Sequence, residues 1–168
     1  MTIHSIRRCL LLMVLALVQV LALNHIHILG VATPLLYLLL PVRFDSEQKR
    51  WSALAWCFTL GLVVDIFSNT PGMVSCALTF IGLIQPRILR LFVQGDESEI
   101  CKPSLSVMGW LRYTSYLLVL VLVFCLLFFT LEFFTFFNLL LWIESVVGST
   151  VLTVIILIAL AKINDVKS

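Results

Sequence analysis

The chain has 168 residues, of which 61% are hydrophobic and only 12% charged, with a mean hydropathy of +1.12 and a net charge of +2. Soluble domains are roughly 45–50% apolar and about 25% charged, so an ordinary water-soluble globule is excluded and lipid must solvate most of this chain. The net charge itself says little, no nucleic-acid partner is expected, and the length fits one compact membrane domain with no room for a separate soluble one.

In chain order, Arg7 and Arg8 precede an apolar run over 6–23. This pairing resembles the first two regions of a signal peptide, but Asn24-His25-Ile26-His27 is a poor cleavage site. The run therefore reads as a retained first membrane helix. His25 and His27 are two potential metal ligands without a third nearby, whereas a real site usually has three or four. They read as solvated loop histidines, and no metal or other cofactor is expected.

The second segment, 26–44, is the weakest. Its strictly apolar part, between Pro34 and Pro41, is too short to cross, and a re-entrant half-helix competes with a full span. Segments over 51–67, 71–92, 103–131 and 137–162 come close to the roughly 20 apolar residues a span needs or exceed them. Between the first two of these lies Gly61-Leu-Val-Val-Asp65-Ile-Phe67-Ser-Asn-Thr70-Pro71-Gly72. Gly61 and Asp65, four apart, share a helix face. Thr70-Pro71 has the form of an N-cap followed by proline at the first helical position, a helical hairpin's restart signal. Asp65 is either a carboxylate that fixes the outer ends of two helices, or binds a partner, or a helix-end acid touching water and headgroups.

Arg87, Arg90 and Lys102 flank the polar stretch Gln94–Glu99 and form a basic edge suited to anionic headgroups. In the fifth segment, Leu117–Phe129 is uniformly bulky and apolar and is expected to face lipid. In the sixth, Glu144 is an intramembrane acid expected at the bundle interior, beside Asp65, or at an interface or partner. Ser145, Gly148, Ser149 and Thr153 form a small-residue stripe for close helix packing, within the chain or with another membrane protein. Cys57 with Gly61, and Ser75 with Thr79, repeat that spacing. The five cysteines read as small apolar fillers, and Trp51, Trp110 and Trp142 as interfacial aromatics.

Charge placement sets the topology. All eleven Lys and Arg fall at 7–8, 43–50, 87–112 and 162–167, and none falls in 24–33, 68–70 or 132–136. Six crossings put every basic residue on one face, which the positive-inside rule makes cytoplasmic. The expected fold is thus all-α, a polytopic protein of six transmembrane helices with both termini inside. No serine-hydrolase, zincin or phosphate-loop motif is present, so no enzymatic activity is expected. A lipid-modifying enzyme is the weakest of the readings.

The six-helix layout, the small loops and the Gly61-x3-Asp65-x5-Pro71-Gly72 hairpin resemble the rod shape-determining MreD family of bacteria. Gly61, Asp65, Ile66, Phe67, Ser68, Pro71 and Gly72 carry the match. The resemblance implies a non-catalytic scaffold of the cell-elongation, peptidoglycan-synthesising complex in the inner membrane. It implies a single-span MreC-like partner and, through it, MreB filaments, a RodA-type glycosyltransferase and a penicillin-binding transpeptidase. It also implies a fold similar to the substrate-binding S-components of energy-coupling factor transporters. The alternative function is such a vitamin-transporter subunit, with Asp65, Glu144, Asn138 and Gln19 as its candidate polar contacts. Ala16 and Ala22 are six apart and do not reproduce the Ala-x3-Ala face of those subunits.

Overall fold

Lipid offers the backbone no hydrogen bonds, so long apolar runs must satisfy their amides internally, and a helix does this within one segment. The computed structural model describes residues 34–44, 50–70, 72–92, 108–132 and 139–165. A 3-10 turn over Leu36–Leu38 leads into α1 (Leu39–Val42), followed by α2 (Arg50–Ser68), α3 (Met73–Phe92), α4 (Trp110–Glu132) and α5 (Leu139–Asp165). Helices α2 to α5 are each long and apolar enough to cross a membrane. The chain is an all-helical polytopic membrane protein, with no strand among the described residues. The expected first span at 6–23 lies outside those residues.

The four long helices alternate in direction. α3 returns along α2, with Gly61 against Ser75 and Cys57 against Gly82. Gln85 and Phe92 of α3 both meet Tyr116 of α4. Lys162 near the end of α5 lies 5.9 Å from the ring centroid of Trp110 at the start of α4. Arg50, Arg87, Arg90, Arg112 and Lys162 therefore gather at one end of the bundle, and the turn between α2 and α3 lies at the other. α4 opens at Gly109, whose φ of +75° suits glycine and whose carbonyl accepts from Tyr113 N–H at 3.1 Å. α4 therefore starts at Trp110, and positions 103–107 of the expected fifth segment lie outside the described residues.

α4 buries most of Leu117–Phe129 against the other helices and leaves only Leu118 and Leu122 of that stretch exposed, which corrects the expectation that it faces lipid. Leu117, Leu120, Val121, Phe124 and Cys125 are fully buried. Phe124 stacks on Phe128 at 5.9 Å and takes Tyr37 edge-on at 5.5 Å. Hydrophobicity cannot separate the two environments, because core and lipid tails are equally apolar. Bulk decides instead, since large aromatic rings fill the space among several helices.

Residues 34–44 are buried save for Arg43 and the half-buried Leu36 and Leu39. The Leu35 N–H donates to Thr153 Oγ1 of α5 at 3.2 Å. The Phe44 carbonyl accepts from Gln85 Nε2 at 3.3 Å, and the same amide donates to the Tyr116 hydroxyl at 3.1 Å. Tyr37 is thus level with Phe124 and Phe44 with Tyr116, so the segment runs antiparallel to α4 over about 12 Å of its axis. Its helical part is a 3-10 turn and one α turn, short of the roughly 30 Å of a bilayer core. The remainder of the expected second span, 26–33, lies outside the described residues.

Candidate functional site: the capped hairpin between α2 and α3

The turn is built from its sequence outward. Asn69 adopts φ +55° just past the end of α2, a conformation asparagine tolerates better than most residues. The Thr70 N–H then folds back to the Asp65 carbonyl at 3.1 Å, the long-range bond of a Schellman stop with Asn69 as its left-handed residue. Gly72 follows at φ +77°, and its carbonyl accepts from Cys76 N–H at 3.1 Å, which makes it the N-cap of α3.

Glycine has no side chain with which to cap. The first free amides of α3 are satisfied from the neighbouring helix instead. Asp65 Oδ1 accepts from Val74 N–H at 3.0 Å and Oδ2 from Ser75 N–H at 2.8 Å. These are the second and third helical amides, the ones an N-cap side chain ordinarily serves. The Thr70 hydroxyl donates to Oδ1 at 2.7 Å, and the Ser75 hydroxyl donates to the Gly72 carbonyl at 3.0 Å. Asp65 itself is only 6% exposed. It ends α2 with its carbonyl and starts α3 with its carboxyl group, where the positive end of the α3 dipole also favours it.

This corrects the expected local cap. Thr70 does not cap α3, because its hydroxyl is turned onto Asp65, and the helix begins at Met73 rather than at 71. Of the readings offered for Asp65, these bonds match the acid that fixes the adjoining ends of two helices.

Gly61 explains how Asp65 comes so close. A methyl group built on Gly61 would overlap the Ser75 Cα and lie 2.8 Å from the Ser75 nitrogen, so the two backbones touch. Seven positions further down α3, a Cβ on Gly82 would lie 2.9 Å from Cys57 Sγ. Close approach of this kind supplies the van der Waals attraction that hydrophobicity cannot supply between helices in lipid. Cys57 and Cys125 are buried fillers as expected, whereas Cys76 is exposed.

The remaining candidates separate. Phe67 is exposed beside the hairpin and takes no part in the capping. Pro71 and Lys102 lie outside the described residues, as do Gln19, His25, His27 and Asn138. Ser145, Ser149 and Thr153 are buried and Gly148 half-buried, so the stripe packs inside this chain rather than waiting for another. Of the readings for Glu144, the interior position beside Asp65 does not hold. The residue lies on the exposed face of α5 with Leu140, Val147 and Val151, two residues from Trp142, which suits an interfacial glutamate. Asp65 is enclosed in its hairpin, and no shared proton with Glu144 is needed. Arg87 and Arg90 are exposed at the basic end, as are Trp51 and Trp110.

No family model, curated protein or solved structure matches this chain. The site must therefore be read from its own geometry. Gln85 is the polar residue the sequence reading passed over. It is buried beside Pro86, whose ring nitrogen cannot donate to the Gly82 carbonyl, and it ties residues 34–44 to α3 and α4. An amide followed by proline inside an apolar span was a usable signal. Among the described residues no group of three or more metal-ligating side chains comes together.

Beside the hairpin lies an open groove of about 740 Å³, lined by Phe58, Leu62 and Ile66 along α2 and by Asp65, Asn69, Thr70, Gly72 and Ser75 at its outer end.

Proposed function

We propose that this chain is a non-catalytic scaffold of the bacterial cell-elongation complex, a six-span inner-membrane protein with both termini cytoplasmic. It binds a single-span MreC-like protein and acts through it on the filament, glycosyltransferase and transpeptidase components. The observation that carries this reading is the hairpin. Gly61, Asp65 and Gly72, three of the residues on which the resemblance to the MreD family rests, are those that set the geometry of the turn. A motif whose residues serve shape is what a scaffold needs.

Two observations support the topology. Basic residues of the four long helices gather at one end, which the positive-inside rule assigns to the cytoplasm. Residues 34–44 run antiparallel to α4 and toward that same end, the direction a second span would have. A likeness to transporter S-components belongs to the same proposal. The vitamin-transporter alternative gains nothing from Asp65 or Glu144, since one is enclosed by its own hairpin and the other faces outward.

The test is depletion and complementation in the source bacterium, combined with co-purification of the single-span elongation protein at matched membrane levels. Rounded cells on depletion and recovery of that partner are expected. Normal rods and no association would overturn the proposal.

A further inference from the structure

Exposed positions on α3 recur three and four residues apart, so Phe80, Leu83, Arg87 and Arg90 form one stripe along the helix. The stripe is apolar along the span and turns cationic in its last two turns. The antiparallel packing of Gly61 on Ser75 and of Cys57 on Gly82 brings the start of α2 level with Arg87. Arg50 and Trp51 stand there, and Trp51 is 86% exposed. The first turn of α2 contains no acid, and the positive end of its dipole disfavours a cation such as Arg50. Arg50, Arg87 and Arg90 meet no carboxylate among the described residues, whereas Lys162 at the same end lies over the Trp110 ring. Like charges one turn apart destabilise a helix, so an anion placed between Arg87 and Arg90 relieves a cost that the chain itself leaves standing.

The occupant needs a negative charge at this depth and apolar bulk below it. A soluble anion answers the arginines and leaves Phe80 and Leu83 unmatched. A phospholipid with a net negative headgroup has both parts in one molecule, and basic clusters at a membrane surface attract such lipids. Guanidinium forks bind phosphate oxygens two at a time, and an exposed indole settles at headgroup level. We infer that the basic end of the α2–α3 pair is a binding site for one anionic phospholipid. Its phosphate lies between Arg87 and Arg90, with Arg50 and Trp51 beside it at the start of α2, and its acyl chains run along Leu83 and Phe80. The inference goes beyond the scaffold reading and does not rest on it, since it requires only a chain that spans a membrane.

The experiment uses the full chain in mild detergent, with native mass spectrometry counting retained lipids as phosphatidylglycerol or phosphatidylcholine is titrated. Phosphatidylglycerol should be retained in preference, as one tightly held molecule. Arg87→Gln combined with Arg90→Gln should weaken that retention by about tenfold or more, each cation near an anionic headgroup counting separately. Arg43→Gln combined with Lys162→Gln removes the same charge from the same end, away from the stripe, and should leave retention nearly unchanged. All four side chains are exposed, so both double variants should fold, which circular dichroism and elution volume verify. Arg87→Lys combined with Arg90→Lys should recover most of the binding. Equal retention of the two lipids would overturn the inference. So would equal losses from the two glutamine pairs, which would mean diffuse charge without a site. Displacement of the lipid by soluble glycerol phosphate at equal concentration would show a phosphate site indifferent to lipid, and the inference would fall. It would fall too if the Arg87 and Arg90 glutamine pair left lipid retention unchanged and instead cost the recovery of an acidic membrane protein. Each of these outcomes leaves the scaffold reading where it was.

Discussion

Removing the Asp65 carboxyl group should unfasten α3 from α2 by a predictable amount. In Asp65→Ala the amides of Val74 and Ser75 lose their acceptors at 3.0 and 2.8 Å. Each buried, unsatisfied amide costs about 1–3 kcal/mol, so the variant should lose about 2–6 kcal/mol. The Thr70 hydroxyl, only half-buried, can turn to water and adds little. Asp65→Asn keeps one acceptor oxygen and places an amide donor against the other N–H. About half the loss should remain. Equilibrium unfolding of the full chain in mixed micelles measures the loss, and hydrogen exchange at Val74 and Ser75 localises it. A loss below about 0.5 kcal/mol in the alanine variant, or unchanged protection at both amides, would refute the capping argument.

Four further outcomes follow from the same contacts. Gly61→Ala must part the two helices, because the atoms it meets are backbone, and should cost about 2–3 kcal/mol in the same unfolding assay. Gly82→Ala meets the Cys57 sulfur at 2.9 Å, a side chain that can be trimmed. Its cost should therefore shrink when combined with Cys57→Ala, a coupling that a double-mutant cycle reads directly. Gln85→Leu strands the Phe44 carbonyl and the Tyr116 hydroxyl and should cost about 1–3 kcal/mol. In a cysteine-free background, Asn69→Cys should react with an impermeant maleimide added to intact cells, while Trp51→Cys and Leu91→Cys should not; the reverse pattern would invert the topology.

How much of this was legible depended on the range of the forces involved. The four long helices were readable because a run of about 20 apolar residues specifies a span almost by itself. The hairpin was readable too, since Gly61, Asp65 and Gly72 stand out against their surroundings. Who caps α3 was not. The local rule looks to the residue before the helix and chose Thr70, whereas the acceptor comes from Asp65, nine and ten residues upstream of the amides it serves. The face of α4 was unreadable for a different reason: lipid and protein interior exert the same preference on Leu and Phe, so an apolar run carries no record of which side is which. Glu144 was left between interior and interface because an acid in a span tends inward, yet near a helix end it can reach the interface.

The double use of Asp65 bears on how loss of function must be interpreted. A carboxyl group that accepts two amides and a hydroxyl from its own turn is occupied in holding two helices together, and acid–base work would have to displace those donors. Its removal should abolish partner binding whether or not the partner touches it, because the packing of α2 on α3 is set by the same turn. An Asp65 variant alone therefore cannot distinguish a contact from a support. Leu62 and Ile66 can, since they face outward from a helix whose packing they do not share. If Asp65→Asn abolishes association and Leu62→Trp leaves it intact, the hairpin acts as a brace for a surface elsewhere. If both abolish it while only Asp65→Asn lowers stability, the partner touches α2 beside the hairpin.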